Sequence, residues 1–284
     1  MKTLVLYNPL SGNKQGEARA RNLITSLINK EITLIDVTET DVKKLFSEIA
    51  EEDEVILCGG DGTINHFVND IDGIEIKNPV FFYPTGSGND FFNDIGKSDT
   101  KEPVQANQYL TNLPYVIVNG KKRKFINGIG FGIDGYCCEV ADQMRAKNEN
   151  AKIDYTAIAI KGLLYGFDRP NAEIEYDGKK MNVDYVWLAG TMKGRFYGGG
   201  MNAAPHQDRL DPERLVSLTL MHAKSKIKTL MLFPKIFEGK HILKPEIAQE
   251  FKAHDVKVKF DRPTALQIDG ETVLAVTEYE VHID

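Results

Sequence analysis

Val55-Ile56-Leu57-Cys58-Gly59-Gly60-Asp61-Gly62-Thr63-Ile64-Asn65 is the stretch on which the fold turns. Four apolar residues read as a short buried strand. Gly59, Gly60 and Gly62 then surround a single carboxylate at what reads as a tight turn into a helix. Glycines at such a turn let backbone N–H groups approach a bulky anion, and the helix N-terminus beyond them favours negative charge. Asp61 is ill suited to direct phosphate contact, because like charges repel. It suits a place beside Mg2+, directly or through water, or beside a hydroxyl that must lose its proton. A glycine-rich turn with a capping aspartate is the purely structural alternative.

Outward from this turn the chain alternates. Residues 3–7 form an apolar strand ending at Asn8-Pro9-Leu10-Ser11-Gly12, and residues 17–29 carry Ala18, Leu23, Ile24 and Leu27 at helical spacing. Residues 32–37 read as a strand ending at Thr38, and Asp41 as the cap of a helix running to Ala50. Residues 79–83 form a further strand, leading into Pro84-Thr85-Gly86-Ser87-Gly88-Asn89-Asp90. Alternation of this kind with continuous apolar strands predicts a doubly wound, mostly parallel α/β sheet. Ligands of such sheets sit beyond the carboxyl ends of the strands. Four polar or glycine-rich loops follow strands directly: the Asn8 loop, Thr38, the Gly59–Thr63 turn and the Gly86–Asn89 loop. Their convergence on one edge predicts a phosphate site.

From about Tyr115 the texture changes. Residues 116–118, 125–133, 172–176, 183–189, 216–221, 256–260, 264–268 and 277–283 read as mostly short strands, several joined by Asn-Gly or Asp-Gly turns. Helices are expected over 153–165 and 226–237. The division predicted is a nucleotide-binding α/β domain over 1–113 and a β-rich, sandwich-like domain over 114–284. A cleft between two such domains is the expected place for a ligand.

Composition narrows the function. In 284 residues, 42% are hydrophobic and 27% charged, which is ordinary for a globular protein and argues against disorder. A formal charge of −6 and a pI near 5.6 leave no basic surplus for a phosphate backbone, so no nucleic-acid partner is expected. Lys121-Lys122-Arg123-Lys124 reads as a solvated hairpin turn. Cys58, Cys137 and Cys138 lack metal-ligand spacing and suit a reducing compartment. With no signal-like opening and no long apolar run, a cytoplasmic protein is expected, peripheral to a membrane if it docks on one.

Taken together, Asn8-Pro9-x-Ser11-Gly12, the Gly59-Gly60-Asp61-Gly62-Thr63 turn with Asn65, and Pro84-x-Gly86-Ser87-Gly88-Asn89-Asp90-Phe91 resemble the catalytic domain of the diacylglycerol kinase family. The branch is that of the bacterial soluble lipid kinases, related to sphingosine kinases and distantly to NAD kinases. Asn127-Gly128-Ile129-Gly130-Phe131-Gly132-Ile133-Asp134, Arg195-Phe196-Tyr197-Gly198-Gly199-Gly200-Met201 with Ala204-Pro205, and Asp269-Gly270-Glu271 are similar to the family's later motifs, in order.

The resemblance implies transfer of the γ-phosphate of ATP to a lipid hydroxyl, with Mg2+, at a transient membrane surface. A homodimer is one assembly that it allows. The implied phosphate cradle is the backbone of Gly60, Gly62, Thr63, Gly86 and Ser87, with Gly12, Gly59, Asn65 and Gly88 completing the loops. Asn8, Ser11 and Thr38 would contact the nucleotide, Asn89 would brace the loops, and Asp61 would orient Mg2+ or water. Asp269 and Glu271, two positions apart on a presumed strand, would share one face, and mutual repulsion could raise one pKa. The resemblance makes one of them the base that accepts the hydroxyl proton, with Glu271 favoured, then Asp269, and with Asp61 as a rival. Arg195 and Lys14 are candidate charge neutralisers.

Two positions depart from the family pattern. His66 stands where an acidic residue is usual. After Ala204-Pro205, the stretch Asp208-Arg209-Leu210-Asp211-Pro212 has proline where a metal-holding Asp-Gly turn is expected, leaving Asp211 as the candidate ligand of a structural cation. An NAD kinase, another small-molecule kinase and a non-catalytic nucleotide-binding regulator are the competing functions.

Overall fold

The computed structural model describes residues 1–27, 30–86, 88–148 and 151–283. The chain falls into two compact units, Met1–Leu113 and Pro114–Asp284.

In the first unit, β1 (Lys2–Tyr7), β2 (Glu31–Asp36), β3 (Glu54–Gly59), β4 (Val80–Pro84) and β5 (Val104–Gln105) form a sheet ordered β2-β1-β3-β4-β5. Pairing is parallel except for β5, which runs antiparallel to β4. A single turn α1 (Ser11–Lys14) and helix α2 (Gly16–Ser26) follow β1. Helices α3 (Val42–Glu48), α4 (Asp61–Asp70), α5 (Asp90–Asp94) and the turn α6 (Asn107–Leu110) complete the unit.

The period-2 alternation of strands explains why helices cover both faces. Ile56 and Cys58 of β3 pack with Val5 of β1 and with Ala20 and Leu23 of α2. Leu57 points to the opposite face and is in register with Phe82 of β4. There Phe67 of α4, Phe82 and Phe91 of α5 form an edge-to-face aromatic chain, with centroids 6.1 Å and 5.5 Å apart. Helix α3 starts where expected, at Asp41, whose carboxylate accepts from the Lys44 N–H at 3.0 Å. It ends at Glu48, short of Ala50. Helix α2 ends at Ser26, and Asn29, the limit expected for it, lies outside the described residues.

The second unit holds β6 (Tyr115–Val118), β7 (Lys121–Lys124), β8 (Gly128–Phe131), β9 (Ala172–Tyr176), β10 (Lys179–Val183), β11 (Val186–Met192), β12 (Phe196–Tyr197), β13 (Met201–Asn202), β14 (Val216–His222), β15 (Ala248–Ala253), β16 (Asp255–Ile268) and β17 (Glu271–His282). Most join one curled antiparallel array ordered β15-β14-β11-β8-β16-β17-β6-β7, with the β9–β10 hairpin also on β16. Strand β16 makes the sandwich. Its first half pairs with β9 and its last residues with β8, and the register with β17 shifts between Lys259 and Thr264. Bulges of this kind let one strand pass from one layer to the other. Phe131 and Phe260 stack between the layers at 3.9 Å, within a core that includes Tyr279, Leu218 and Val258.

Several sequence expectations are corrected here. Residues 125–133 are not one strand: β8 ends at Phe131, Gly132 takes φ 117°, and a fifteen-residue helix, α7 (Ile133–Lys147), begins. Residues 256–260 and 264–268 are a single strand. The helix expected over 153–165 is α8 (Tyr155–Lys161), capped by Asp154, followed by a π-turn over Gly162–Gly166. The helix expected over 226–237 is α9 (Lys226–Leu232) followed by 3-10 turns at Phe233–Ile236 and Lys240–Leu243. Lys121–Lys124 is strand β7 rather than a solvated turn. Among the described residues, no helix is long and apolar enough to cross a membrane.

Candidate active site

The order β2-β1-β3 places a topological switch between β1 and β3, where the chain's crossovers leave in opposite directions. The loops at the carboxyl ends of these strands are stitched together there. Asn8 donates through Nδ2 to Thr63 Oγ1 at 3.2 Å and accepts the Leu10 N–H at 2.9 Å. Ser11 and Thr85 hydroxyls lie 3.2 Å apart, and the Arg19 guanidinium donates to the Thr85 carbonyl at 2.6 Å. Gly12 has φ 55°, and a Cβ there would lie 2.3 Å from that carbonyl, so glycine alone fits.

The β3 and β4 loops meet backbone to backbone. Thr85 N–H donates to Gly59 O at 2.9 Å. A Cβ on Gly60 would stand 2.9 Å from Gly86 Cα, and one on Gly86 2.5 Å from Gly60 Cα. Gly62 differs: no atom lies within 4 Å of the position its Cβ would take, so the turn is open at that point.

Asp61 binds the two loops further. Its oxygens accept the Asp90 and Phe91 N–H groups at 2.8 and 2.9 Å, at the start of α5, and Gly88 packs beside it. Asn89, left-handed at φ 50°, donates from Nδ2 to Gly86 O at 3.1 Å. Its Oδ1 is buried and has no hydrogen-bond partner. Buried acceptors are nearly always satisfied, so an orphan beside this glycine contact singles out the place.

Other expected residues sit differently. Asn65 is fully buried within α4, which closes direct ligand contact to it. The Thr38 hydroxyl and N–H both turn onto Asp36 Oδ1, at 2.6 and 2.8 Å. Ser87 lies outside the described residues. His66 is exposed on α4, and Lys14 is exposed in the left-handed turn after Gly12.

In the second unit, the expected placement of Asp269 and Glu271 on one strand face is corrected. Asp269 and Gly270, at φ 46° and 92°, are the two-residue turn joining β16 to β17, and Glu271 pairs with Ile268 across it. Asp269 is nearly buried. Its carboxylate accepts three backbone N–H groups, from Ile126 at 2.7 Å, Asn127 at 2.9 Å and Gly128 at 2.8 Å. Arg209, also nearly buried, holds the same segment from its acceptor side. The guanidinium donates to Ile126 O and, at 2.8 Å, to Asn127 Oδ1. Glu271 is partly exposed and pairs with Arg123 of β7.

Asp211 is turned onto its own loop. Asp208 and Asp211 each accept the N–H two residues on, from Leu210 and Glu213, both at 2.9 Å. The positive charge beside them belongs to the chain, as Arg209 and the buried Lys193. Burial and the Arg209 charge lower the Lys193 pKa to about 8, against the opposing pull of Asp211 and Asp208. Among the described residues no group of three His, Cys, Asp or Glu side chains could hold a metal. The Arg209 and Lys193 charges beside Asp208 and Asp211 disfavour a divalent cation there.

The sequence reading also missed a contact between two motifs. In the second unit the buried Tyr197 donates to the half-buried Asp134, and desolvation raises the Asp134 pKa to about 7. Both residues lie in quoted motifs, yet nothing in their spacing signals that they meet. Arg195, one position before Phe196, lies over that ring at 5.5 Å.

Two nested loops closing on a glycine contact in one unit, together with a β-rich second unit, define a kinase-type fold. The chain belongs to the diacylglycerol kinase family: residues 2–114 match the diacylglycerol kinase catalytic domain, and residues 127–281 match the YegS C-terminal NAD kinase beta sandwich-like domain. It is 27% identical over 261 residues to a diacylglycerol kinase of Mycobacterium tuberculosis (strain ATCC 25618 / H37Rv), covering 87% of this chain and 82% of that one. It is 26% identical over 278 residues to a diacylglycerol kinase of Bacillus subtilis (strain 168), covering 94% and 88%. In fold it resembles a crystal structure described as "a putative diacylglycerol kinase from Bacillus anthracis str. Sterne", with a TM-score of 0.70 at 18% identity, covering 100% of this chain and 92% of that one.

Proposed function

We propose that the chain is an ATP-dependent lipid kinase that transfers the γ-phosphate to a lipid hydroxyl. One observation supports the nucleotide site above all others: the Gly60–Gly86 backbone contact, flanked by the open Gly62 position and the unpartnered Asn89 Oδ1. Gly60, Gly62 and Gly86 put no side chain of their own there, and α4 starts at the same turn, an arrangement suited to phosphate. ATP phosphates would lie against Gly60, Gly62 and Thr63, with Gly86 and Ser87 on the second loop. Mg2+ carried by the phosphates takes most of its ligands from phosphate and water. Asp61, whose carboxylate sits at the junction of the two loops, is the residue that would orient it.

In the second unit, Glu271 is the residue proposed to accept the proton of the attacking lipid hydroxyl as the γ-phosphate moves to that oxygen and ADP leaves. Asp269, committed to three N–H groups, is proposed to hold the Asn127 segment beside it rather than to move a proton. Arg123 would orient the Glu271 carboxylate.

The test is transfer of radiolabelled γ-phosphate from ATP to an extracted membrane-lipid mixture, with NAD and sphingoid bases as parallel acceptors. Label in a lipid fraction, dependent on Mg2+, supports the proposal. Label in NAD alone, or ATP binding with no transfer to any acceptor, overturns it.

A further inference from the structure

The strongest unassigned surface is the helical segment over residues 224–244, which contains six lysines and a single carboxylate, Glu238. The whole chain carries −6, so this short stretch concentrates positive charge against the protein's overall balance. Among the described residues Lys240 alone of the six forms an ion pair, with Glu238 at 2.6 Å. Among the described residues Lys224, Lys228, Lys235 and Lys244 have no carboxylate partner.

Apolar side chains stand among these lysines. Helix α9 buries Thr229 and Leu232 and leaves Ile227 and Met231, one turn apart on its outer face, 70% and 72% exposed. The Lys226 ammonium donates to the Leu164 carbonyl at 3.0 Å, tying α9 to the π-turn. The next residue on that turn, Tyr165, is 87% exposed. Leu243, at 71%, lies in the last 3-10 turn of the same segment. Single exposed apolar residues need no explanation, but apolar tips rimmed by unpaired lysines form an interfacial pattern. Lysine stems can lie along the apolar boundary while their ammonium groups reach headgroup phosphates.

We propose that Ile227, Met231 and Tyr165, ringed by Lys224, Lys228 and Lys235, form a docking surface for an anionic lipid bilayer. Charge complementarity selects the partner, since unpaired ammonium groups gain from a negative leaflet and nothing from a neutral one. The other basic cluster does not compete. Arg123 is paired with Glu271, and Lys122 lies 3.5 Å over the Tyr115 ring. Delivering the enzyme to its lipid is a purpose that rests on the kinase reading, but the binding itself is measured without nucleotide.

The experiment is sedimentation of the full chain with vesicles of phosphatidylcholine alone or mixed equally with phosphatidylglycerol. Binding is expected only to the anionic vesicles. Ile227→Asp with Met231→Asp, and separately Lys224→Glu with Lys228→Glu and Lys235→Glu, should each weaken it by about tenfold or more. Lys121→Glu with Lys124→Glu should leave it unchanged. All these positions except Lys124 are exposed, so unchanged melting temperatures certify the variants. Equal binding to both vesicles, binding to neither, or patch variants that bind like the parent would overturn the proposal. Turnover on a water-soluble short-chain acceptor separates the two claims. Patch variants should keep it, whereas its absence from the parent counts against the kinase reading alone.

Discussion

Replacing Asp269 by asparagine separates holding a backbone segment from moving a proton. The side chain stays the same size, but only one oxygen remains. It can keep the Asn127 and Gly128 N–H bonds, now at neutral strength, while its amide group faces the Ile126 N–H as donor against donor. Hydrogen bonds to a charged acceptor contribute about 1.5–3 kcal/mol and neutral ones about 0.5–1.5, while an orphaned buried N–H costs about 1–3. The sum is about 4 kcal/mol. For a unit of this size that corresponds to a fall of about 8–16 °C in its calorimetric transition. Glu271→Gln weakens a partly exposed ion pair with Arg123, worth under about 1 kcal/mol after solvent screening, so its transition should move by about 4 °C. Both variants should lose turnover, one through its fold and the other through its chemistry. Calorimetry of each, beside initial rates, distinguishes them. If Asp269→Asn melts within about 2 °C of the parent and is inactive, then Asp269 is a catalytic group and the clamp is wrong.

Gly60→Ala would force a Cβ to within 2.9 Å of Gly86 Cα, so the ATP-induced rise in melting temperature should vanish, whereas Gly62→Ala, with open space around it, should fold normally and raise the KM for ATP. Arg209→Met removes the donors to Ile126 and Asn127 and should cost about 3 kcal/mol. Chelation by EDTA without nucleotide should leave the parent's second transition unmoved, and a fall would restore a structural cation. Burial raises Asp134 to about 7, so its folded state holds the proton more tightly than the unfolded chain. The stability this contributes is fully present below the ordinary carboxylate range and is lost as pH rises through 7, with a ceiling of about 4 kcal/mol. Melting curves of the parent and Asp134→Asn between pH 4 and 8 should diverge in slope, the variant being flatter, and parallel curves would refute this.

The α/β sheet was legible because β1 and β3 are buried on both faces, and with β4, half-buried on one face, they read as unbroken apolar runs ending in polar loops. Helix α7 was not. Its inward positions are Ile133, Cys137 and Ala141, a weakly apolar stripe placed straight after the apolar β8, with only Gly132 to mark the change. That spacing of four was the available signal. The loops of the first unit were legible as a group, since glycine at Gly60 and Gly86 announces a close approach. Asp269 and Glu271 were misplaced because Asp-Gly fits both a strand end and a hairpin, and only the positive φ at both Asp269 and Gly270 decides it. The role of Arg209 was hidden for a different reason. A buried guanidinium in a polar loop looks like any solvated arginine until its partner carbonyl, far away in sequence, is known.

The position of β16 in the sheet has a consequence for how the second unit comes into being. Strand β8 lies between β11 and β16, and its pairing joins Phe131 to Leu266. A ribosome adding about 5–20 residues each second makes β8 several seconds before its second neighbour exists. During that interval one edge of an apolar, glycine-rich strand has no partner, the condition under which nascent chains pair with one another. The first unit, whose parallel pairs all close within its own residues, can be complete by then. Cells producing this chain quickly would therefore accumulate molecules with a finished first unit and an unfinished second, and slower elongation or holdase chaperones should raise the soluble yield.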